Sequence, residues 1–302
     1  MATASAKRRR ARPLLGTFVE IEASGAERSE IDAAIDAAFS AVAHVHRLMS
    51  FHEADSDVSR LNREALARPI AVHAWTFRVL EAAVELHRRS DGVFDIAIAP
   101  HLESMGLLPR LDAAQVATEP QSPDAIELTA SQRVRFASPG LRIDLGGIAK
   151  GFAVDRALEA MRQFSISGAM INAGGDLAVF GDEPETVHIR DPRDPGRLVG
   201  SVEIRNEAIA TTARKFDPLD SVDTTGSTVI DPATGKPADS IDGVTIRAPS
   251  CMIADALTKV VMIRGVASGG LLEYYRAGAL LITPERDFRI TPNLNHVVRL
   301  AA

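Results

Sequence analysis

Asp144-Leu145-Gly146-Gly147-Ile148-Ala149-Lys150-Gly151-Phe152-Ala153-Val154-Asp155 places an acid, a lysine and three glycines where a strand pattern gives way to a helical one. Leu141-Arg142-Ile143 before it reads as a short strand, and residues 152–164 after it carry apolar side chains at helical spacing. Glycines at such a junction let the backbone approach a ligand closely. The free N–H groups of the helix's first turn, with the helix dipole behind them, attract anions such as phosphate. The same residues also suit a plain glycine-rich turn. The surrounding segments have to decide between the two.

On the N-terminal side, residues 17–22 alternate as a strand and lead into a helix after Ser29. There Ile31, Ala34, Ile35, Ala38, Phe39, Val42 and Val45 fall on one face. The loop Met49-Ser50-Phe51-His52-Glu53-Ala54-Asp55-Ser56-Asp57 follows, with Ser56 or Asp57 as cap for a short helix holding Val58, Leu61 and Asn62. A helix over residues 76–90 precedes Asp91-Gly92-Val93-Phe94-Asp95; residues 112–123 read as irregular, and strands are expected near 126–128 and 134–136.

On the C-terminal side, residues 170–180 read as a strand broken at Gly174-Gly175 by a bulge or a close backbone approach. Strands are expected near 187–190, 199–204, 208–212 and 244–248, with a polar loop over 217–227 and a strand at 229–235 that ends in an Asp231-Pro232 turn. A last helix begins near Met252 and carries residues 255–261. Strands and helices mix without a strict βαβ rhythm. The expected class is α+β, with mixed, largely antiparallel sheets flanked by helices.

The 302 residues suffice for one large core or two smaller ones, and 46% hydrophobic with 25% charged residues is an ordinary globular composition. A net charge of −6 speaks against a general nucleic-acid binder. Lone Cys251 has no partner for a disulfide or a thiolate zinc site, and the eight histidines include no HExxH spacing. The basic run Lys7-Arg8-Arg9-Arg10-Ala11-Arg12 has no apolar core of a signal peptide behind it, and no window is long enough to span a membrane. Residues 1–12 are therefore expected as a basic flexible tail, with residues 13–302 as the functional domain, in a cytoplasmic protein with no nucleic-acid or membrane partner.

Six segments, in order, resemble the FAD:protein FMN transferases, the ApbE-like flavin transferases. They are Met49-Ser50-Phe51 with Ser59-Arg60-Leu61-Asn62; Asp91-Gly92-Val93-Phe94-Asp95 with Ala99-Pro100; the Asp144–Asp155 run; Asn172-Ala173-Gly174-Gly175-Asp176; Ile230-Asp231-Pro232-Ala233-Thr234-Gly235; and Ala254-Asp255-Ala256-Leu257. The resemblance implies two intertwined subdomains with FAD in a cleft between them. It also implies cleavage of the FAD pyrophosphate, with FMN passed to a threonine or serine of an acceptor flavoprotein and AMP released. Some relatives use water as the acceptor. Such chemistry needs neutralisation of the pyrophosphate charge, usually by a magnesium ion.

By the same resemblance, Met49, Ser50, Phe51, Asn62 and the Ala97-Ile98-Ala99 backbone are expected at the flavin and adenine, and Asp144 and Lys150 beside the nucleotide. Gly147 would offer a carbonyl and Asp255 a carboxylate to the metal. Structural readings stand beside these. Met49, Phe51 and the Ala97–Ala99 segment suit a core, Asp144 a cap or turn, Asn62 a helix end, and Asp255 a position near a helix start.

The chain departs from the family pattern at the catalytic candidates Thr228 and Lys259, where the resemblance implies a histidine and a threonine metal ligand, and at Ala210-Thr211-Thr212-Ala213, where it implies a Ser-Gly pair. Lys259 lies four residues after Asp255, so the two share a helical face and can form an ion pair. A protonated lysine cannot ligate a metal; its ammonium could stand in the metal's place, or Lys259 could be a surface lysine paired with Asp255 if that face is exposed. Thr258 is expected to point elsewhere. The competing readings are an FAD-binding carrier or sensor, and a metal-independent FAD pyrophosphatase.

Overall fold

A computed structural model of the chain describes residues 6–110, 122–214 and 227–301. The expected irregular stretch at 112–123 and polar loop at 217–227 fall largely outside the described residues. The chain divides into two compact units, one of Met1–His44, Lys150–Ser227 and Asp239–Ala302, the other of Val45–Ala149 and Thr228–Ala238.

The first unit is built on an eight-stranded sheet whose neighbours all pair antiparallel, as expected for the α+β class. Its order is Ala6–Leu14, Thr17–Gly25, Gly168–Ala173, Asp176–Gly181, Ala208–Ala213, Gly243–Ala248, Gly278–Ile282 and Phe288–Ile290. Helix α1 (Arg28–Met49) buries the apolar face read from the sequence, with Ile31, Ala34, Ile35, Ala38 and Val42 fully inaccessible. Leu177, Val179, Ile209, Leu280 and Ile282 form a core cluster with Ile189, Val199, Val202 and Ile204 from a second, three-stranded sheet.

The basic run is not a tail. Residues Ala6–Leu14 form an edge strand joined to Thr17–Gly25 by Leu15-Gly16, a two-residue turn with both φ angles positive, as tight hairpins require. Its charges meet acids: Lys7 reaches Glu22 at 2.6 Å, Arg10 reaches Asp32 at 2.7 Å, Arg12 reaches Asp36 at 3.0 Å, and Arg9 pairs with Glu20. Such exposed pairs add little stability, but a charged edge discourages pairing with a foreign strand. The alternation of exposed and half-buried residues along this strand was masked by five basic residues in six positions.

Gly174-Gly175 is likewise a hairpin turn between Gly168–Ala173 and Asp176–Gly181, not a bulge. Both glycines have positive φ, and a Cβ at Gly174 would lie 2.6 Å from Thr17 Oγ1. The second unit holds α2 (Asp57–Glu64), α3 (Ala74–Arg89), α4 (Ala99–Ser104), a small sheet of Ile70–Ala71, Arg133–Phe136 and Ile126–Thr129, and the Ile230–Asp231/Lys236–Pro237 hairpin. Ser56, not Asp57, caps α2, accepting the Ser59 N–H at 3.0 Å. Asp57 instead accepts from Thr76 Oγ1 and from the His73 N–H. Residues 141–143 form no strand, and the helix after them, α5 (Ala149–Met161), begins three residues earlier than expected. Lys150 and Gly151 are therefore helical.

Candidate active site

Helix α5 and helix α6 (Cys251–Arg264) both belong to the first unit, and each satisfies the other's N-terminal turn. The Gly151 N–H, an orphan donor at the third position of α5, goes to Asp255 Oδ2 at 3.0 Å. In return Asp155 accepts from the N–H groups of Cys251 and Met252 at 2.8 and 2.9 Å and from Ser250 Oγ at 2.8 Å. The anion at the start of α5 is thus one of the protein's own carboxylates. Gly151 is required at this contact: a Cβ there would lie 2.2 Å from the Cys251 carbonyl oxygen.

Around Asp255 the first unit assembles two acids and two lysines. Lys150 Nζ lies 2.5 Å from Asp176 Oδ2 and 3.6 Å from Asp255 Oδ1. Lys259 Nζ pairs with Asp255 Oδ1, donates to the Asp255 carbonyl oxygen at 3.1 Å and reaches Thr212 Oγ1 at 3.4 Å. The ion pair expected from i, i+4 spacing is present, and it is not a surface pair: Asp255 is 0% and Asp176 1% exposed. Both ammonium groups keep partial access to solvent, with the lysine side chains 33% and 18% exposed.

Charge balance sets the titration of these groups. Burial pushes the Asp176 carboxyl up, helped by the Asp255 charge and opposed by Lys150 and Lys259, to about 6. Burial acts on Asp255 in the same direction, but Lys150 and Lys259 outweigh it and hold that carboxyl below its ordinary value. For Lys150, burial disfavours the ammonium, yet Asp255 and Asp176 together raise its pKa.

Sequence reasoning places Asp176 within a motif without giving it a role, and sets Thr258 aside. In the structure Thr258 is fully buried, donates to the Asp255 carbonyl oxygen at 2.6 Å and meets Thr212 Oγ1 at 2.7 Å. Its hydroxyl bends back onto its own helix, and its i, i+3 spacing from Asp255 puts both on one face of α6, which corrects the expectation that it points elsewhere. The Asp176 signal was legible in principle, as an acid directly after a glycine pair that forces a tight turn.

The expected metal site fails a test of its donors. Oδ1 of Asp255 faces two ammonium groups and Oδ2 takes an amide N–H. A divalent cation needs oxygen lone pairs at about 2.0–2.6 Å, and an ammonium beside the same oxygen repels it. Among the described residues, no group of three or more His, Cys, Asp or Glu side chains could hold a metal ion. The residues present do not fit magnesium at Asp255.

The second unit gathers the other expected residues. Asn62 clamps the Ile143 backbone at both ends, its amide donating to the carbonyl at 2.9 Å and its oxygen accepting the N–H at 2.8 Å. The next N–H, of Asp144, goes to the Ile96 carbonyl at 2.8 Å, so Asp144 lies beside the Ala97-Ile98-Ala99 segment. The Asp144 carboxylate accepts the Gly146 N–H at 2.9 Å, which is the turn geometry foreseen as its structural role. Burial raises its pKa, against that hydrogen bond and the nearby His52.

Met49, Phe51, Ala97 and Ala99 are buried, whereas Ser50, Ile98 and Gly147 are half-buried. Ser50 accepts from Ser56 Oγ through its carbonyl at 2.7 Å, fixing the loop to the start of α2. Thr228 is exposed, two residues before the Ile230–Asp231 strand.

Residues 15–278 match the ApbE family. The chain belongs to that family. It is 27% identical over 262 residues to an FAD:protein FMN transferase of Klebsiella pneumoniae, covering 82% of each chain, and 26% identical over 326 residues to one of Treponema pallidum, covering 96% of this chain and 88% of that one. Its fold matches the crystal structure of the ApbE protein of Thermotoga maritima with a TM-score of 0.85 at 24% identity, covering 97% of this chain and all of that one. The flavin transferase ApbE of Vibrio cholerae matches with a TM-score of 0.81 over 97% of this chain and 99% of that one, also at 24% identity. In this chain Asp255 is engaged by two lysines, Lys150 and Lys259. No helix among the described residues is long and apolar enough to cross a membrane.

Proposed function

We propose that the chain transfers FMN from FAD to a threonine or serine hydroxyl of an acceptor flavoprotein and releases AMP. One observation carries this reading: the family match runs from residue 15 to residue 278 and so includes every residue singled out for the site. The curated relatives it resembles over most of its length are named FAD:protein FMN transferases.

In this reaction the acceptor oxygen forms a bond to the FMN-side phosphorus. The bridging P–O bond breaks, AMP leaves with the bridging oxygen, and the hydroxyl proton is released. Charge builds on the phosphoryl oxygens, and fixed cations next to them lower the barrier. Lys150 and Lys259 supply partly accessible positive charge, and Asp176 and Asp255 hold them in place. Met49, Ser50, Phe51 and the Ala97–Ala99 backbone are the proposed flavin and adenine contacts, Asp144 lies beside the nucleotide, and Asn62 positions it through Ile143. Thr228 offers a hydroxyl where an imidazole is implied, so it takes no part as a base at neutral pH. Magnesium has no place at Gly147 and Asp255 in this reading, because the Asp255 oxygens are already engaged. The proposed location is cytoplasmic.

The test is incubation of the protein with FAD and a threonine-containing acceptor flavoprotein. Covalent flavin fluorescence on the denatured acceptor, with AMP released in equal amount, is the expected result. AMP release with FMN left free in solution would instead mark a pyrophosphatase, and bound FAD with no AMP would mark a carrier.

A further inference from the structure

We propose that Lys259 is a built-in cation: its ammonium fills the oxygen cage at Asp255, and the chain binds the diphosphate of its dinucleotide without a divalent metal. The proposal rests on the FAD reading above for the identity of the diphosphate, but the occupancy of the cage stands on geometry alone.

Among the described residues, three oxygens surround Lys259 Nζ, namely Asp255 Oδ1, the Asp255 carbonyl oxygen at 3.1 Å and Thr212 Oγ1 at 3.4 Å. An ammonium carries three N–H donors and no lone pair, so this set matches its valence. The hydroxyls behind it can be ordered. Thr258 gives its one proton to the Asp255 carbonyl oxygen, so Thr212 must give its own to Thr258 Oγ1 and is left with lone pairs toward Lys259. The donors run from Lys259 to Thr212, from Thr212 to Thr258 and from Thr258 back to the backbone of Asp255. A closed directional network of this kind holds the ammonium in one place.

The cluster is also balanced without an added ion. Lys150 and Lys259 offset Asp176 and Asp255 one for one, and both acids are sealed from water. A dication added beside Asp255 would face two ammonium groups. An anionic diphosphate approaching from solvent meets the ammonium groups first, because the lysines are partly exposed and the carboxylates behind them are buried. The 3.4 Å contact to Thr212 is the weakest of the three, so that N–H is the one free to turn toward a phosphoryl oxygen.

Manganese electron paramagnetic resonance tests the cage directly. The loss of the free Mn2+ signal is measured with protein alone, with protein plus FAD, and with FAD alone as control, and FAD affinity is measured by fluorescence in EDTA and in excess magnesium. The wild-type chain is expected to remove no Mn2+ beyond the FAD control and to bind FAD equally, within about two-fold, in both buffers. Lys259→Thr is expected to gain a Mn2+ site, to lose about ten-fold in FAD affinity in EDTA and to recover it with magnesium. A stoichiometric Mn2+ site in the wild-type protein would overturn the proposal, and so would FAD binding that requires magnesium. The wild-type measurements do not depend on the variant folding. The two readings also fail separately. If no flavin reaches the acceptor while FAD binds in EDTA, transfer falls and the built-in cation stands.

Discussion

Asp155 and Asp255, one hundred positions apart, cap each other's helices. Asp155, in the second turn of α5, holds the first N–H groups of α6, and Asp255, in the second turn of α6, holds the Gly151 N–H of α5. Two helix N-termini repel one another through their dipoles, and a carboxylate at each makes the approach favourable. The exchange fixes where Asp255 points, and therefore where both lysines stand. Removing the Asp155 carboxylate should loosen that arrangement from one side without touching the lysines. Asp155→Ala is expected to lower stability by about 1–3 kcal/mol, the range for losing a cap and leaving buried donors unpaired. Thermal unfolding measures it. An unchanged midpoint would show that the two helices do not depend on the exchange.

Gly151 makes the close approach possible. An added Cβ would lie 2.2 Å from the Cys251 carbonyl oxygen and 2.8 Å from Asp255 Cβ, and both belong to a buried helix that cannot step aside. Gly151→Ala is expected to cost about 1–3 kcal/mol or more despite alanine's better helix propensity, because the overlap outweighs a propensity gain of about 1 kcal/mol. A stabilised variant in chemical denaturation would show that the helices separate freely.

Much of this was legible in the chain and some was not. The apolar face of α1 and the cap at the start of α2 announce themselves because their signal is local: a period and a cap residue. The pair Gly174-Gly175 was visible as a break, but its role as a hairpin turn depends on which strands pair across it. The charged edge strand at Ala6–Leu14 was hidden because its partners Glu20, Glu22, Asp32 and Asp36 lie on other elements, and a run of arginines reads as solvated until those acids are placed. The site divides the same way. Spacing alone paired Asp255 with Lys259, since i, i+4 is a property of one helix. Asp176, Lys150 and Thr212 join the cluster around Asp255 from other segments, so no single window of sequence contained them. Residues 141–143 looked like a strand because their alternation is real, but their hydrogen bonds go to the Asn62 side chain rather than to a neighbouring strand.

That clamp gives a prediction of its own. Asn62 satisfies both backbone groups of Ile143, and alanine would leave the N–H and carbonyl of this buried residue without a partner. Asn62→Ala is expected to cost about 1–3 kcal/mol. It should also weaken FAD binding by shifting Asp144, the next residue. Hydrogen exchange at the amides of 143 and 144 is the measurement. Fast exchange there with unchanged FAD affinity would separate the clamp from the ligand.

Asp95 predicts a pH dependence. Burial pushes its carboxyl up to about 6, against the Ala97 N–H and the nearby His87. Because the folded pKa lies above the ordinary 3.8, the folded state holds the extra proton between those values, and this group's contribution is full below about pH 4 and lost as the pH rises through 6. The rise from 3.8 to about 6 caps that contribution at about 3 kcal/mol. Asp95→Asn keeps an acceptor for the Ala97 N–H, 2.6 Å from Oδ1, and removes the charge. The variant's stability relative to wild type is expected to rise between pH 4 and 6 and then level off. A flat difference across that window would refute the assignment.

The lysines must be shown to do more than balance the acids, and a paired substitution separates the two roles. Lys150→Gln leaves Asp176 and Asp255, both sealed from water, with only Lys259 to offset them. It should lower stability by about 1–3 kcal/mol, less than for a fully buried pair because the Lys150 side chain is 33% exposed. Adding Asp176→Asn removes the surplus charge, and an amide at 176 can still hydrogen-bond the glutamine, so the double variant is expected to regain most of that loss. FAD affinity is expected to behave differently. A cation facing the diphosphate is absent from both variants, so both should bind FAD about ten-fold more weakly than wild type. Denaturant unfolding and FAD titration on the wild type, the two single variants and the double variant decide it. If affinity recovers together with stability in the double variant, Lys150 only keeps the cluster neutral, and the diphosphate is held elsewhere.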